Sequence, residues 1–355
     1  MQVPQPQEVA FSSPAPTLMA RVLVTGATGF LGSYIARLLV KHNYTVTAIH
    51  RASSSLELVQ SVHSKIQWVE CELSDIRTLE DLVADTDFII HCAALISWHP
   101  KDRKRLYAIN VQATHDLVNL AILHSVQKFI HISSVAALGK SGKEALISES
   151  AEWIESKLNT DYGITKHLAE LEIWRAKAEG LSTLIINPSL ILGAGFWNKG
   201  TSALFSKLSN WNPFFPKGST GIVDVRDVAL ITIKAMESSY SGIRVLATGH
   251  NISYKSLISS ISTALGNREP WMPISNFFIT LLPFFDAIQC LLTRKTRTIS
   301  KTNLRASSID SKYSNKKSTE LFDHHYLPFE KTIVDTVAAY KESQVDGRPG
   351  HILRF

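Results

Sequence analysis

The chain has 355 residues, of which 45% are hydrophobic and 19% charged, and its formal net charge is +6 at pH 7. This composition excludes an intrinsically disordered protein and predicts a globular one, long enough for two modest domains or for one domain with an appended lobe. Apart from a cluster at 294–317, Lys and Arg are spread along the sequence. The mild positive excess therefore indicates a solvated surface that also suits an anionic small molecule, and no nucleic-acid partner is expected.

Two segments bear on targeting and membranes. Residues 1–18 combine Pro, Gln and Ser without a long apolar run, which predicts a disordered N-terminal extension and not a signal peptide, with Met19 as an alternative start. The apolar segment 274–292 contains Asn, Pro, Asp and Gln. It lacks the roughly 18 to 20 uninterrupted apolar residues of a membrane span, so we expect a buried or groove-lining helix there and no membrane span.

The cysteines give a second indication of compartment. There are three of them, Cys71, Cys92 and Cys290. None forms a CxxC pair or stands beside His at metal-ligand spacing, so we expect reduced thiols, a cytoplasmic location and no metal site.

Apolar, β-branched runs alternate with helical stretches through the first half of the chain. They occupy 21–25, 45–49, 66–70, 87–93, 128–134 and 182–188. Because each run is continuous, both faces of each strand should be buried, as in a parallel sheet covered by helices. The predicted fold is α/β, a Rossmann-type doubly wound parallel sheet over 19–190.

The regular alternation of predicted strands and helices ends after residue 190, where Gly, Pro, Trp and Asn cluster in irregular segments. We expect 191–355 to form mainly a smaller C-terminal lobe that binds substrate. Residues 221–249 should return to the first domain, with 242–249 as one more strand of its sheet.

The segment "VTGATGFLG" places glycines between the first predicted strand and a helix. A tight turn needs Gly26, close approach of a phosphate to the backbone needs Gly29, and close packing of helix on strand needs Gly32. With a second strand ending some 20 residues later, the pattern predicts a dinucleotide site.

The end of the second strand indicates which dinucleotide binds. NAD sites usually have Asp or Glu there, whereas this strand is followed by Arg51 and by serines at 53–55. A guanidinium and hydroxyl groups can bind the 2′-phosphate of NADP, so NADP (as NADPH) is predicted over NAD. The alternative is that Arg51 is a surface residue of a loop.

A helix predicted over 161–180 contains Tyr162 and Lys166, four residues apart and so on one face. A nearby ammonium and a nicotinamide cation would favour the phenolate and bring the tyrosine into use as an acid at neutral pH. Upstream, the fifth strand ends in Ser133 and Ser134, one of which would orient a substrate oxygen while the other caps the strand end.

Taken together, these motifs resemble the extended short-chain dehydrogenase/reductases, the NAD-dependent epimerase/dehydratase family. The matching pieces span about 21–235 and are "TGATGFLG", "HCAALISW", "INVQATHDLV", "HISSVAALG", "YGITK" and "GIVDVRDVA". The run after the fourth strand and Arg51 are most similar to the dihydroflavonol-reductase-like and 3β-hydroxysteroid-dehydrogenase-like branch.

The resemblance assigns roles to individual positions. It makes Ser134 the catalytic serine, Tyr162 the proton donor, and Lys166 the residue that binds the nicotinamide ribose and lowers the pKa of the tyrosine. It also implies the cofactor-binding residues Gly26, Thr28, Gly29, Phe30, Leu31, Gly32, Arg51, Glu72, Leu73, Ala93, Ala94, Tyr162, Lys166, Pro188 and Ser189. Two positions depart from the family: Glu72 replaces an Asp at the adenine, and Asn187 replaces a common Arg.

The substrate side is indicated by composition alone. Candidate lining residues follow the fourth and sixth strands and are Ile96, Trp98, His99, Phe196 and Trp197. This aromatic set suits a flat or apolar carbonyl compound, although any one of these residues could equally belong to the core of the lobe.

The predicted function is an NADPH-dependent reductase of a ketone or aldehyde. Three alternatives stay open: a nucleotide-sugar epimerase or dehydratase with tightly bound NAD, for which Lys199, Lys207 and Lys217 could bind a diphosphate; a hydroxysteroid-type dehydrogenase; and a protein that senses NADP without turnover. The resemblance also implies a homodimer formed through the helices that follow strands four and five.

Overall fold

The computed structural model describes residues 20–139, 146–274 and 307–355. Within them the strands are, in chain order, β1 (Arg21–Thr25), β2 (Thr45–His50), β3 (Ile66–Glu70), β4 (Phe88–His91), β5 (Lys128–Ile132), β6 (Thr183–Pro188), β7 (Leu190–Leu192), β8 (Phe214–Phe215), β9 (Ser219–Asp224), β10 (Ile243–Ala247), β11 (His250–Ser253) and β12 (Met272–Pro273).

The α-helices are α1 (Phe30–Lys41), α2 (Ile76–Ala84), α3 (Arg103–Tyr107), α4 (Ala113–Leu123), α5 (Asp161–Ala178), α6 (Ala203–Leu208), α7 (Val225–Glu237), α8 (Tyr254–Leu265), α9 (Lys316–Phe322) and α10 (Phe329–Asp346). A π-helical turn, Ala108–Gln112, joins α3 to α4. Short 3₁₀ helices occupy Glu57–Lys65, Pro100–Asp102 and Val135–Leu138.

The main sheet has seven strands in the order β10-β6-β5-β4-β1-β2-β3, and every neighbouring pair is parallel. All six predicted apolar runs and the predicted returning strand belong to it, which confirms the predicted fold class. The strand order reverses between β1 and β4, and in open α/β sheets the crevice at this point is where ligands bind.

Side-chain alternation along the strands divides the core into two layers. Val22 and Val24 of β1 pack with α1 and α7 on one face, whereas Leu23 packs with α2, α4 and α5 on the other. All three side chains are at most 1% exposed. Because both faces are covered, the strands read as continuous apolar runs in the sequence.

The C-terminal part adds two small sheets, β11-β9-β7 and β12-β8, and the helices α6, α8 and α10. Ion pairs of the buried Arg226 join it to α7: the guanidinium lies 2.7 Å from the buried Asp224 and 2.8 Å from the half-buried Asp335 of α10. Since β10 lies beside β6, the chain crosses from the lobe back to the main sheet. The domain boundaries given above stay a prediction.

Several sequence predictions lie outside the described residues: the 1–18 extension, Cys290, and most of the 274–292 segment and of the 294–317 basic cluster. No helix in the described parts of the chain is long and apolar enough to span a membrane. The same parts contain no group of three or more His, Cys, Asp or Glu arranged to bind a metal ion. Cys71 and Cys92 are free thiols.

Candidate active site

The site begins with the glycine turn that follows β1. Gly26 has a φ of +73°, in the left-handed region, and a Cβ there would lie 2.7 Å from the backbone nitrogen of Ala93. A larger residue is therefore excluded both by backbone strain and by the loop that follows β4. Gly32 is equally restricted, because a Cβ there would overlap the carbonyl of Gly26. Gly26 thus occupies a tight turn, and Gly32 lets α1 pack against that turn; their part in cofactor binding stays a prediction.

Gly29 differs from the other two, because it is exposed and precedes the first turn of α1. The first intrahelical hydrogen bond joins the Ser33 nitrogen to the Gly29 carbonyl at 3.0 Å, so the amides of Phe30, Leu31 and Gly32 point out of the helix N-terminus. Thr28 lies half-buried in the same turn. Outward amides and a helix dipole fit a diphosphate, which is the binding requirement of a nicotinamide dinucleotide.

The opposite end of this crevice is formed where β2 and β3 end. Arg51 directly follows β2, is exposed, and donates its backbone N–H to Ser54 Oγ at 3.2 Å. In the described part of the chain no carboxylate forms an ion pair with its guanidinium. Glu72 is exposed and Leu73 half-buried just beyond β3. The structure thus brings the three residues predicted for the adenosine part to one edge of the sheet.

The strand ends of β4 and β6 bound the middle of the crevice. Ala93 donates its N–H to Thr25 Oγ1 at 3.2 Å, and Ala94 is exposed. Pro188 ends β6, and the next residue, Ser189, is 7% exposed and hydrogen-bonded to the Ala247 carbonyl. The Ser189 hydroxyl donates to the same carbonyl at 3.4 Å, so its proton is already used within the protein.

Ser134 and Tyr162 are in direct contact. Ser134 lies two residues beyond β5, and its Oγ accepts a hydrogen bond from the Ala136 N–H at 3.1 Å. Tyr162, in the first turn of α5, forms a side-chain hydrogen bond with Ser134. The sequence predicted one capping serine and one catalytic serine, whereas Ser134 both caps the 3₁₀ turn and contacts the tyrosine.

The contact depends on a close approach of two elements. Thr160 caps α5 by accepting from the Gly163 N–H at 3.0 Å. A Cβ at Gly163 would lie 2.8 Å from the Ala136 carbonyl, so only glycine lets α5 reach the turn that presents Ser134. Gly163 was not singled out in the sequence, although it stands inside the "YGITK" motif.

Lys166 is 1% exposed and points down toward the sheet. Its Nζ donates to the Ile132 carbonyl at 2.6 Å and lies 3.3 Å from His131 Nε2. Burial lowers the pKa of Lys166 to about 8, against an opposing effect of the Glu170 carboxylate.

Tyr162 does not show the predicted depression of its pKa. Burial raises that pKa to about 12, and the hydrogen bond with Ser134 opposes the rise. Lys166 does not offset this effect of burial. Although the two residues are one helical turn apart, the Tyr162 hydroxyl points to Ser134 while the Lys166 ammonium points to the backbone of β5.

The neighbouring serine belongs to a separate buried network. Ser133 Oγ donates to Glu170 Oε1 at 2.5 Å, and Asn187 Nδ2 donates to the same oxygen at 2.5 Å and to the Ser134 carbonyl at 2.9 Å. Arg244 of β10 forms an ion pair with the other Glu170 oxygen. The buried Glu170 carboxylate is thus paired with a guanidinium from β10, the strand beside β6.

The predicted substrate residues separate into two groups. The Trp98 ring meets Tyr162 edge-on at 5.9 Å between centroids, and Ile96 is 59% exposed in the same loop. His99 Nδ1 accepts from the Lys101 N–H at 3.1 Å, within the turn that begins Pro100–Asp102. His99 therefore has a local structural role.

The second group follows β7. Trp197 is 5% exposed and packs against Phe205 and Tyr340, with ring centroids 6.5 and 5.1 Å away, so it belongs to the lobe core and not to a substrate surface. Phe196 is half-buried, and its backbone pairs with Gly350 of the C-terminal segment. These contacts correct the prediction for Trp197 and place Phe196 against the chain's own C-terminal segment.

Asn110 is a further residue that the sequence reading did not single out. Its amide accepts from the Leu95 N–H at 2.7 Å and donates both to the Leu95 carbonyl and to Thr165 Oγ1 at 3.0 Å. It therefore ties the loop that begins at Ala93 to α5. The sequence feature that could have identified Asn110 is the "INVQAT" motif. Its pattern is that of an amphipathic helix, yet the amide of Asn110 is fully buried.

Known proteins share sequence and fold with this chain. The model of the NAD-dependent epimerase/dehydratase family matches residues 22–245. The chain is 31% identical over 266 residues to a putative dihydroflavonol 4-reductase of Synechocystis, covering 71% of this chain and 76% of the relative. It is 28% identical over 257 residues to sterol demethylase protein B of Methylococcus capsulatus, with the same two coverages.

The fold is also that of a dTDP-glucose 4,6-dehydratase from Bacillus anthracis solved in complex with NAD. The TM-score is 0.73 at 17% sequence identity, over 92% of this chain and 98% of that one. At this identity the likeness concerns the fold alone.

Proposed function

Because the chain belongs to the NAD-dependent epimerase/dehydratase family and is an NAD(P)-dependent oxidoreductase of the extended short-chain type, we propose that it is an NADPH-dependent reductase of a ketone or aldehyde. The observation that supports reduction best is the hydrogen-bonded pair Ser134 and Tyr162 beside the Trp98 ring. It offers a proton donor and an orienting hydroxyl next to an aromatic wall, which suits a carbonyl on an apolar or aromatic small molecule.

The cofactor preference is proposed from the end of β2. Arg51 occupies the position where NAD-binding proteins usually have a carboxylate that accepts from the ribose hydroxyl. A guanidinium at that position would bind the 2′-phosphate of NADP, which a carboxylate would repel. The amides of Phe30, Leu31 and Gly32 would hold the diphosphate, and Lys166 would reach the nicotinamide ribose with an N–H. When bound, the nicotinamide ring supplies the hydride.

The side chains of the site would bind the carbonyl oxygen and protonate it. Ser134 donates a hydrogen bond to the carbonyl oxygen and fixes its position, while Tyr162 transfers its proton to that oxygen as negative charge develops there. Lys166 does not lower the pKa of Tyr162 in this structure, so the contact that favours the ionised phenol is the hydrogen bond with Ser134. The Trp98 ring packs edge-on against Tyr162 and would exclude water from that side, which would strengthen these interactions.

The proposal is tested by NADPH consumption with aromatic and alicyclic carbonyl compounds, compared between the wild type, Tyr162→Phe and Ser134→Ala. We expect kcat/KM to fall by about 10³-fold in the first variant and about 10²-fold in the second, with NADPH binding retained in both. Turnover that survives Tyr162→Phe unchanged would exclude this site as the source of the proton.

A second candidate is a nucleotide-sugar epimerase or dehydratase. Lys199, Lys207 and Lys217 are exposed on the lobe side and could bind the diphosphate of such a substrate. This reaction takes and returns the hydride, so NAD should copurify tightly with the protein. Spectroscopic detection of bound NAD in freshly purified protein would favour it over the reductase.

A further inference from the structure

Two histidines of neighbouring strands lie buried beneath Lys166. His91 ends β4 and is 1% exposed, His131 lies in β5 and is fully buried, and their ring centroids are 5.5 Å apart. Burial lowers the pKa of His91 to about 3 and that of His131 well below its ordinary value. Both rings are therefore neutral near pH 7, and each has one nitrogen that donates and one that accepts.

The partners of His91 determine its tautomer. Thr114 Oγ1 uses its own proton on the Asn110 carbonyl at 2.8 Å, so it can only accept from His91 Nε2, 3.0 Å away. Nε2 therefore holds the proton, and Nδ1 accepts from Thr25 Oγ1 at 2.7 Å.

His131 must adopt the opposite tautomer. Lys166 Nζ lies 3.3 Å from His131 Nε2, and an ammonium can only donate, so Nε2 presents its lone pair and Nδ1 holds the proton. Nδ1 has no hydrogen-bond partner within the described segments of the chain. Within those segments Lys166 is thus the single polar contact of the His131 ring, and the unpaired Nδ1 proton is a cost that this contact must offset.

We infer that His131 is a positioning residue, whose Nε2 lone pair holds the Lys166 ammonium in place and keeps it protonated up to the alkaline limit of the reaction. The inference rests on the proposed function in assuming that Lys166 acts in its charged form. With the Ile132 carbonyl as second acceptor, two of the three N–H groups are fixed and the third is directed by them.

Other charged and titratable groups also surround the ammonium. Glu170 lies on its own helix, Cys92 follows β4, and His91 lies beyond His131, whereas the Tyr162 hydroxyl one turn away points to Ser134. Burial is the largest effect on the pKa of Lys166 and lowers it, while Glu170 and, less strongly, Cys92 favour the charged lysine. Removing the His131 acceptor should therefore lower the pKa of Lys166 further, because the charged form loses a hydrogen bond and the neutral form loses less.

The tautomers can be measured in the wild-type protein by two-bond ¹H–¹⁵N correlation spectra, with each ring assigned by its own substitution. We expect His91 protonated on Nε2 and His131 protonated on Nδ1, both without titration between pH 6 and about 9. A His131 ring protonated on Nε2 cannot accept from Lys166 and would overturn the inference, whether or not any variant folds.

The effect on Lys166 is tested with His131→Gln, which keeps an acceptor, and His131→Leu, which does not. The titration of ¹³Cε-labelled Lys166, assigned with Lys166→Arg, should shift down by about one unit or more in the Leu variant and by less than about half a unit in the Gln variant. Phe129→Leu, a buried change on the same face of β5, is the packing control and should not shift it.

The same variants should move the alkaline limb of kcat/KM for carbonyl reduction in parallel with the titration. An unshifted Lys166 titration in His131→Leu would overturn the inference while leaving the reductase proposal intact. Absence of reductase activity in the wild type would instead count against the proposed function, because the titration requires no turnover.

Discussion

Single residues at this site act through contacts that their neighbours in sequence do not make. Ser133 and Ser134 are adjacent, yet the first hydroxyl bonds Glu170 within the core and the second bonds Tyr162 at the crevice. Side chains of successive residues in extended backbone point to opposite sides, so one of any such pair is turned away from the site. The residue that decides whether Tyr162 reaches Ser134 is Gly163, which has no side chain at all.

We predict that Gly163→Ala displaces Tyr162 from Ser134. The added methyl would lie 2.8 Å from the Ala136 carbonyl, so α5 or the 3₁₀ turn must shift. A misplacement of about 1 Å at a reacting group can lower kcat by about 10²-fold, and we expect a loss of that order with little change in NADPH affinity. Steady-state kinetics beside a cofactor titration would check this.

Gly180→Ala is the matched comparison, since a Cβ at Gly180 meets no atom within 4 Å and the residue follows the far end of α5. Its φ of +99° makes it strained, so it should reduce stability while leaving kcat close to the wild-type value. Equal kcat losses in the two variants would show that the close approach of Gly163 to Ala136 is not what positions Tyr162 for catalysis.

At the scale of elements, α5 carries both the tyrosine at the crevice and the lysine beneath it. Its first turn holds Tyr162 at the crevice, and from the next turns Lys166 and Glu170 reach into the core. The helix therefore buries an ammonium, and burial of a charge lowers the stability of the fold. Under the proposed function, Lys166 is a residue retained for activity at a cost in stability.

We predict that Lys166→Met abolishes reduction but stabilises the fold at pH 7 by about 1 to 3 kcal/mol. The pKa of this lysine is about 8 in the folded protein against an ordinary value of 10.5. Below pH 8 both states are protonated and the cost of the buried charge is fully present. Between pH 8 and 10.5 the unfolded chain binds more protons than the folded one, so wild-type stability rises with pH.

The advantage of Lys166→Met should therefore shrink as the pH is raised from 8 toward 10. Urea unfolding at pH 7 and pH 9.5, on both proteins, measures it. A variant that is less stable than the wild type by the same amount at both pH values would contradict a cost from charge burial.

At the scale of the whole molecule, the sheet was predictable from sequence and the lobe was not. Continuous apolar runs identify buried parallel strands because such strands are covered on both faces, and the seven strands lie where these runs predict. The spacing of Tyr162 and Lys166 likewise follows from helix geometry. Local patterns of this kind need no knowledge of distant residues.

The features that could not be predicted from the sequence depend on contacts between distant segments of the chain. Trp197 is a core residue because Tyr340, far along the chain, packs on it, and an aromatic residue in a pocket has the same local sequence. Arg244 reaches Glu170 only because β10 returns beside β6. The homodimer expected through α4 and α5 depends on a second copy and stays a prediction.

The central claim is an NADPH-dependent reductase, and the most direct test is a fluorescence titration of cofactor-stripped protein with NADPH and with NADH. The wild type is compared with Arg51→Ala and with Lys41→Ala, an exposed lysine at the far end of α1. We expect NADPH to bind at least about 10-fold more tightly than NADH, the preference to vanish in Arg51→Ala and to persist in Lys41→Ala. Tight NADH binding that is insensitive to Arg51 would contradict the account.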